Sequence, residues 1–260
     1  MCCHLRPLKR WLSFRLSLAQ MKHNLPALLA IVVLGGAVAI GQTINDPARI
    51  EIYVTPYYNS KGPAIDVGPF SSGLAAKSEP EFVATISKMK KSWATLNFAE
   101  VYVAAIRLYD LGFRKESIYW FYSAQYRGRL FASLIERDKM GSMGDPGFEL
   151  FQAQNAFQQL VGPYINGYAF GDIDQLVPII ERVQREGKTV PDLTRIYPRV
   201  AFKPKSECDA GNKGLNEGLT KLLMTLKNEK ASIKQQRIEH GMEAKFSKLP
   251  NKDLPKGPAP

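Results

Sequence analysis

Histidine is almost absent from this 260-residue chain: only His4, His23 and His240 occur, so the whole central region has none. That gap excludes a Ser-His-Asp or Cys-His catalytic arrangement from the central region, and with it a histidine-ligated zinc site. Cysteine is as scarce, with Cys2, Cys3 and Cys208. Thiols so spaced make no disulfide framework, so the fold must rest on its hydrophobic core. Cys208 is read as a buried or idle thiol, with an intermolecular bridge as the alternative. A glycine-rich phosphate loop is missing too, because GSMGDPG at 141–147 lacks the lysine and the strand-then-helix setting that such loops need. No cofactor is expected.

Charge of one sign is also lacking where it would matter. The net charge is +11, but residues 1–39 contribute +5 with no acid at all, residues 203–260 contribute +5, and residues 40–202 are nearly neutral at +1. The central region therefore offers no basic stripe to track phosphates, and nucleic acid is not an expected partner.

What is present begins with LPALLAIVVLGGAVAIG at 25–41, an uncharged run behind a basic stretch, with Ala37-Val38-Ala39 at the spacing a signal peptidase reads. As a helix it spans about 25 Å, short of a hydrocarbon core of about 30 Å. Residues 1–39 are thus expected to be an export signal cleaved near Ala39, with Met21 a second candidate start. If retained, the segment would be the chain's contact with a membrane, and periplasmic or secreted localisation would become inner-membrane anchoring.

Residues 40–78 read as a strand and an extended arm. Ile50, Ile52 and Val54 alternate with polar neighbours, and the Gly-, Pro- and Ser-rich stretch 59–81 is expected to pack as a loop through Ile65, Val67, Phe70 and Leu74. From 79 to 240 the pattern is helical. Phe82, Ile86, Met89 and Trp93 form one stripe, and Val101, Ala105, Leu108 and Leu111 another that ends at a capping Gly112. Arg114 to a capping Gly128 is its antiparallel partner, residues 129–138 continue helically, and Gly162-Pro163 is expected to stop the helix begun at Phe148. Asp172 and Gly187 cap a further helix. YPRVAFKPK at 197–205 is expected to pair with 50–54. Leu215, Leu219, Leu222 and Leu226 dock a last helix that frays beyond Asn228, and residues 241–260 are expected to be a disordered, basic tail.

Leu108, Tyr109 and Gly112, then Glu116, Trp120, Phe121 and Ala124, then Gly128, resemble the helical hairpin of tetratricopeptide-like repeats of the Sel type. The likeness covers about a tenth of the chain, with Ser117 and Gln125 where the family has alanine. The fold class is mainly α: repeat-like helical hairpins with a short N-terminal strand and a long packed loop. The resemblance implies contact with another protein, and exported relatives of this kind include immunity proteins that neutralise lipase effectors.

Four consecutive aromatics, Tyr119 to Tyr122, surround one helix, so it is either buried on both sides or offers an aromatic flank to a partner. Tyr119 and Trp120 are the candidate anchors. Tyr126 with Arg127 and Arg129 is a candidate carboxylate or anion site, the alternative being a solvated helix end, and Tyr57 and Tyr58 are candidate contacts on the arm. Asp172 and Asp174 are read as helix-capping residues rather than an acid–base pair. The expected function is an exported, non-enzymatic protein-binding protein of the bacterial envelope, an immunity or adaptor protein. Two rivals stand beside it, a carboxylate-dependent hydrolase of envelope glycans and a membrane-anchored structural protein.

Overall fold

In a computed structural model, residues 44–62 and 64–255 are described. The expected export signal lies outside them. The described chain is mainly α, with three very short antiparallel strands near its start: β1 (Tyr53–Val54), β2 (Tyr58–Asn59) and β3 (Ala64–Ile65), in the order β1-β2-β3. Val54 pairs with Tyr58 and Tyr58 with Ile65, which turns Val54 and Tyr58 inward. The arm is thus a small meander followed by a one-turn helix, α1 (Ser71–Ala75), whose Leu74 is fully buried.

The centre is α3 (Phe98–Asp110), preceded by α2 (Glu79–Lys91). Nearly every side chain of α3 is buried, as a helix hydrophobic all round must be. Its start is held by a capping box: the Glu100 amide donates to Asn97 Oδ1 at 2.9 Å, and the Asn97 amide donates to Glu100 Oε2 at 2.6 Å. Its end is a Schellman turn. Gly112, at φ +89°, lets the Phe113 amide reach the Leu108 carbonyl at 2.8 Å while its own amide reaches Tyr109 at 3.0 Å. The chain reverses there into α4 (Arg114–Leu134), which lies antiparallel on α3 as the short connection requires.

Helix α4 also packs on α5 (Pro146–Ala169), α6 (Ile173–Glu186) and α8 (Lys205–Asn228), with the single turn α7 (Leu193–Ile196) between the last two. Two helices follow, α9 (Lys230–Glu239) and α10 (Met242–Phe246). Aromatic rings fill the interior. Tyr102 of α3 stacks on Phe157 of α5 at 5.0 Å, and Phe131 of α4 lies 4.8 Å from Tyr197.

Five expectations need correction. Gly128 is not a cap: the helical stretch expected beyond it is the same helix, α4, which runs on to Leu134, and Gly128 instead admits Gln154 of α5, whose Cγ would lie 2.8 Å from any added Cβ. Gly162-Pro163 does not stop α5, because Val161, Tyr164 and Ile165 are buried on both sides of the proline and packing outweighs the lost backbone bond. Residues 197–205 do not join the N-terminal strand. Phe202 bridges to Ile135, with Lys203 donating to the Leu134 carbonyl at 2.8 Å. The chain past Asn228 is not frayed, since Ile233 and Arg237 of α9 are buried. Nor are residues 241–255 loose: Phe246 is 1% exposed, and Lys252 donates its amide to the Gly112 carbonyl at 2.8 Å.

Candidate functional site

The four aromatics of α4 are all buried, which answers their crowding: α4 is enclosed by α3, α5, α6 and α8. Trp120 is the clearest correction to the proposed anchors. It is 0% exposed, with its indole N–H donated to Glu116 Oε1 at 3.0 Å, so it can touch no partner in the folded state. Tyr119 is nearly as enclosed. Its hydroxyl donates to Glu186 Oε2, and burial, followed by that hydrogen bond to the carboxylate, raises its pKa.

What reaches the surface is the residue on which these two rings rest. Trp93 sits in a 3₁₀ turn just beyond the end of α2 and is half-buried. Its ring stacks on Tyr119 at 5.4 Å and meets Trp120 edge-on at 5.0 Å. The Arg127 guanidinium lies 4.7 Å from the Trp93 ring centre, held by two carbonyls: Nη1 donates to Leu96 at 2.6 Å and Nη2 to Trp93 at 2.9 Å. Burial lowers the Arg127 pKa. Arg182 of α6 lies 3.7 Å over the Tyr119 ring and donates Nε to Glu186 Oε1 at 2.9 Å. In the series Arg127, Trp93, Tyr119, Arg182 two stacked rings lie between two guanidiniums, an arrangement that locks the side chains in place. Lys90, paired with Glu116 at 2.7 Å, edges the patch on the α2 side.

The other expected residues lie elsewhere. Tyr126 is buried beneath the loop after α6, donating to Asn212 Oδ1 at 2.6 Å and accepting from Asn216 Nδ2 at 2.6 Å; burial pushes its pKa up to about 12. Arg129 is exposed, without an ion-pair partner among the described residues, and does not join Arg127. Tyr57 leans on Phe157 at 6.3 Å, and Tyr58 is a buried strand residue. Trp93, Arg182 and Glu186 were the residues missed. The stripe of α2 assigned Trp93 to the core, and the Arg182–Glu186 spacing on α6 was the sole sequence signal for the other two.

The carboxylates are taken up by backbone amides and by ion pairs, and Asp174 does not cap its helix. Asp172 accepts from the Gln175 amide at 3.0 Å as the cap of α6, and Asp174 pairs with Lys230. Burial raises Glu100 to about 6, although the Asn97 amide opposes the shift. Burial raises Asp110 to about 7, against the opposing Ile50 amide, which donates to Oδ1 at 2.8 Å, and the Arg107 charge. Among the described residues no group of three or more His, Cys, Asp or Glu could hold a metal ion, and no helix is long and apolar enough to cross a membrane. Cys208 is a free thiol.

The fold and this patch define a mainly α protein built on a helical hairpin, with a guanidinium–aromatic cluster at its surface. The chain is 26% identical over 136 residues to an uncharacterized protein of Haemophilus influenzae. The alignment covers 50% of this chain and 50% of that protein, so the chain spans about half the length of the curated relative it matches. No family model matches the chain, and no solved structure matches it significantly.

Proposed function

We propose that this chain is an exported, non-enzymatic protein of the bacterial envelope that binds another protein, as an immunity or adaptor protein does, through the patch centred on Trp93. The observation that carries the reading is the half-buried Trp93 ring, pre-set between Arg127 and Tyr119 and bordered by Arg182, Glu186, Glu116 and Lys90. Trp, Tyr and Arg are the residues that most often dominate binding energy, and a rigid anchor costs little entropy on docking. The mixed charges around it form a polar rim that would select one partner orientation. The hairpin's resemblance to Sel-type repeats supports protein contact, and the apolar run at 25–41 supports export.

The test is a pair of variants, Trp93→Ala and Arg182→Ala, compared with the parent for binding to a partner purified from envelope extract. Both should stay folded, with Trp93→Ala the less stable of the two, and lose at least about thirtyfold in affinity, as a hot spot worth about 2 kcal/mol requires. Unchanged affinity in both, with the fold intact, would remove the patch from the function.

A further inference from the structure

Both ends of the described chain come to rest on one buried arginine. Arg114 opens α4 and is 4% exposed, and among the described residues no carboxylate pairs with its charge. Backbone carbonyls take that place, one from each end. Nη2 donates to Ala48 of the N-terminal arm at 3.1 Å, and Nη1 donates to Pro250 of the C-terminal segment. The remaining donor, Nε, is buried and bonds nothing in the protein. The Tyr109 ring faces the guanidinium at 5.1 Å and helps to hold its plane.

Each end makes further bonds around this point, and the two sets do not overlap. The arm adds the Tyr109 hydroxyl, donated to the Pro47 carbonyl at 2.7 Å, and the Ile50 amide, donated to Asp110 Oδ1 at 2.8 Å. The C-terminal segment adds the Lys252 amide on the Gly112 carbonyl at 2.8 Å and the Lys115 amide on Asn251 Oδ1 at 2.8 Å. It also places Lys252 Nζ 3.2 Å from Glu79. Among the described residues, no hydrogen bond or ion pair joins residues 44–62 directly to residues 242–255, and Arg114 alone has a side chain bonded to both.

We infer that Arg114 is a latch coupling the two ends, so that release of the C-terminal segment loosens the N-terminal arm. The cause is the shape of the guanidinium, a rigid planar fork that meets both carbonyls in one orientation. Whichever end docks first bears the loss of the side chain's rotamer freedom and the desolvation of its charge, and the second end meets a donor already in place. When one carbonyl leaves, the half-compensated guanidinium turns toward water and its bond to the other carbonyl weakens. By linkage the effect runs in both directions. A protein or protease that captures the C-terminal segment is thereby felt at the arm, on the other side of the α3–α4 turn. The latch is independent of the protein-binding reading, since none of these residues belongs to the Trp93 patch.

Hydrogen exchange followed by NMR, on the full chain and on the variant Asn251→Ala/Lys252→Pro, tests it. The variant removes every hydrogen bond of the segment at this turn except the one to Arg114, and it keeps the Phe246 anchor; Asn251→Ala alone is a milder form of the same perturbation. The Lys115 amide should lose its protection. The Ile50 amide bonds to nothing in the segment, yet it should exchange at least about fivefold faster, the low end of ordinary coupling between sites. That increase is counted beyond any change in the slowest amides of α6, which report global unfolding. The Arg114 Nε–H should give a slowly exchanging signal in the parent and lose it in the variant. An unchanged Ile50 amide once Lys115 is freed would make the two ends independent. A Lys115 amide that stays protected would show that the segment is not held at this turn, and a protected Arg114 signal beside a faster Ile50 amide would take the coupling away from Arg114. Each of these three results overturns the inference.

Discussion

Trp93 and Trp120 touch edge to face 5.0 Å apart, yet their replacement by alanine should have opposite consequences. Trp120 is fully buried and its loss leaves a cavity beside Trp93. Trp120→Ala should therefore cost about 3–5 kcal/mol in a urea or thermal melt, enough to unfold a marginal domain. Trp93→Ala removes a ring that is only partly buried and should cost under half of that. Equal destabilisation by the two variants would make Trp93 a core residue and the patch a mere extension of the packing. Asp110 gives a different kind of prediction. Its side chain is 6% exposed, and burial lifts its folded pKa to about 7 from an ordinary 3.8. Between those values the folded state holds the extra proton, so this group's contribution is full below about pH 4 and is lost as the pH rises towards 7, by at most about 4 kcal/mol. Asp110→Asn keeps an acceptor for the Ile50 amide and removes the charge. Melts from pH 4 to 8 should show the parent losing stability relative to the variant, and parallel curves would show that Arg107 and the Ile50 amide already compensate the carboxylate.

At the level of elements, the hairpin and the start of α6 were legible because their signals are local. The apolar spacing of α3, the glycine at the turn and the cap at Asp172 each act within a few residues of themselves. Errors arose where a local signal met long-range packing. Gly162-Pro163 reads as a stop, yet the buried faces of Val161 and Ile165 carry α5 through it. Gly128 reads as a cap, yet its missing side chain is a port for Gln154 from a helix whose position no local pattern reveals. The tail is the largest such case. Its composition is polar and rich in proline, and one aromatic residue, Phe246, was the sole hint that it docks. Phe246 packs so tightly on Gly167 that an added Cβ there would sit 2.5 Å from its ring, while Asn251 Oδ1 accepts from the Lys115 amide at 2.8 Å and so caps the start of α4. Deleting residues 242–260 removes that anchor, the cap and the Pro250 carbonyl that Arg114 holds. The deletion should lower the melting temperature by roughly 5 °C or more, in line with about 3–5 kcal/mol for a lost buried Phe. An unchanged melt would mean that the docked tail is only an accessory.

In the whole described molecule, the N-terminal arm and the C-terminal segment meet at one place, the turn between α3 and α4. Tyr109 donates its hydroxyl to the Pro47 carbonyl at 2.7 Å, Asp110 accepts from the Ile50 amide, and Arg114 donates Nη2 to the Ala48 carbonyl at 3.1 Å and Nη1 to the Pro250 carbonyl. Arg114 is 4% exposed and its Nε has no protein partner, so these carbonyls do much to offset the burial of its charge. The arrangement sets a limit on where the chain can be cut. Cleavage near Ala39 leaves every one of these arm contacts in place, whereas loss of residues up to Val54 would strip Arg114 of Ala48 and Asp110 of its backbone donor. Removal of one partner from a buried charge costs about 3–5 kcal/mol. A protein starting at Ile40 should therefore melt as the full chain does, and one starting at Thr55 should be unfolded or lower by at least about 8 °C. Mass spectrometry of the envelope fraction should find a species that begins close to Ile40. An intact species retaining Leu25 to Ala39 would defeat the cleavage proposal, and a stable protein starting at Thr55 would show that the arm contributes nothing to the turn it covers.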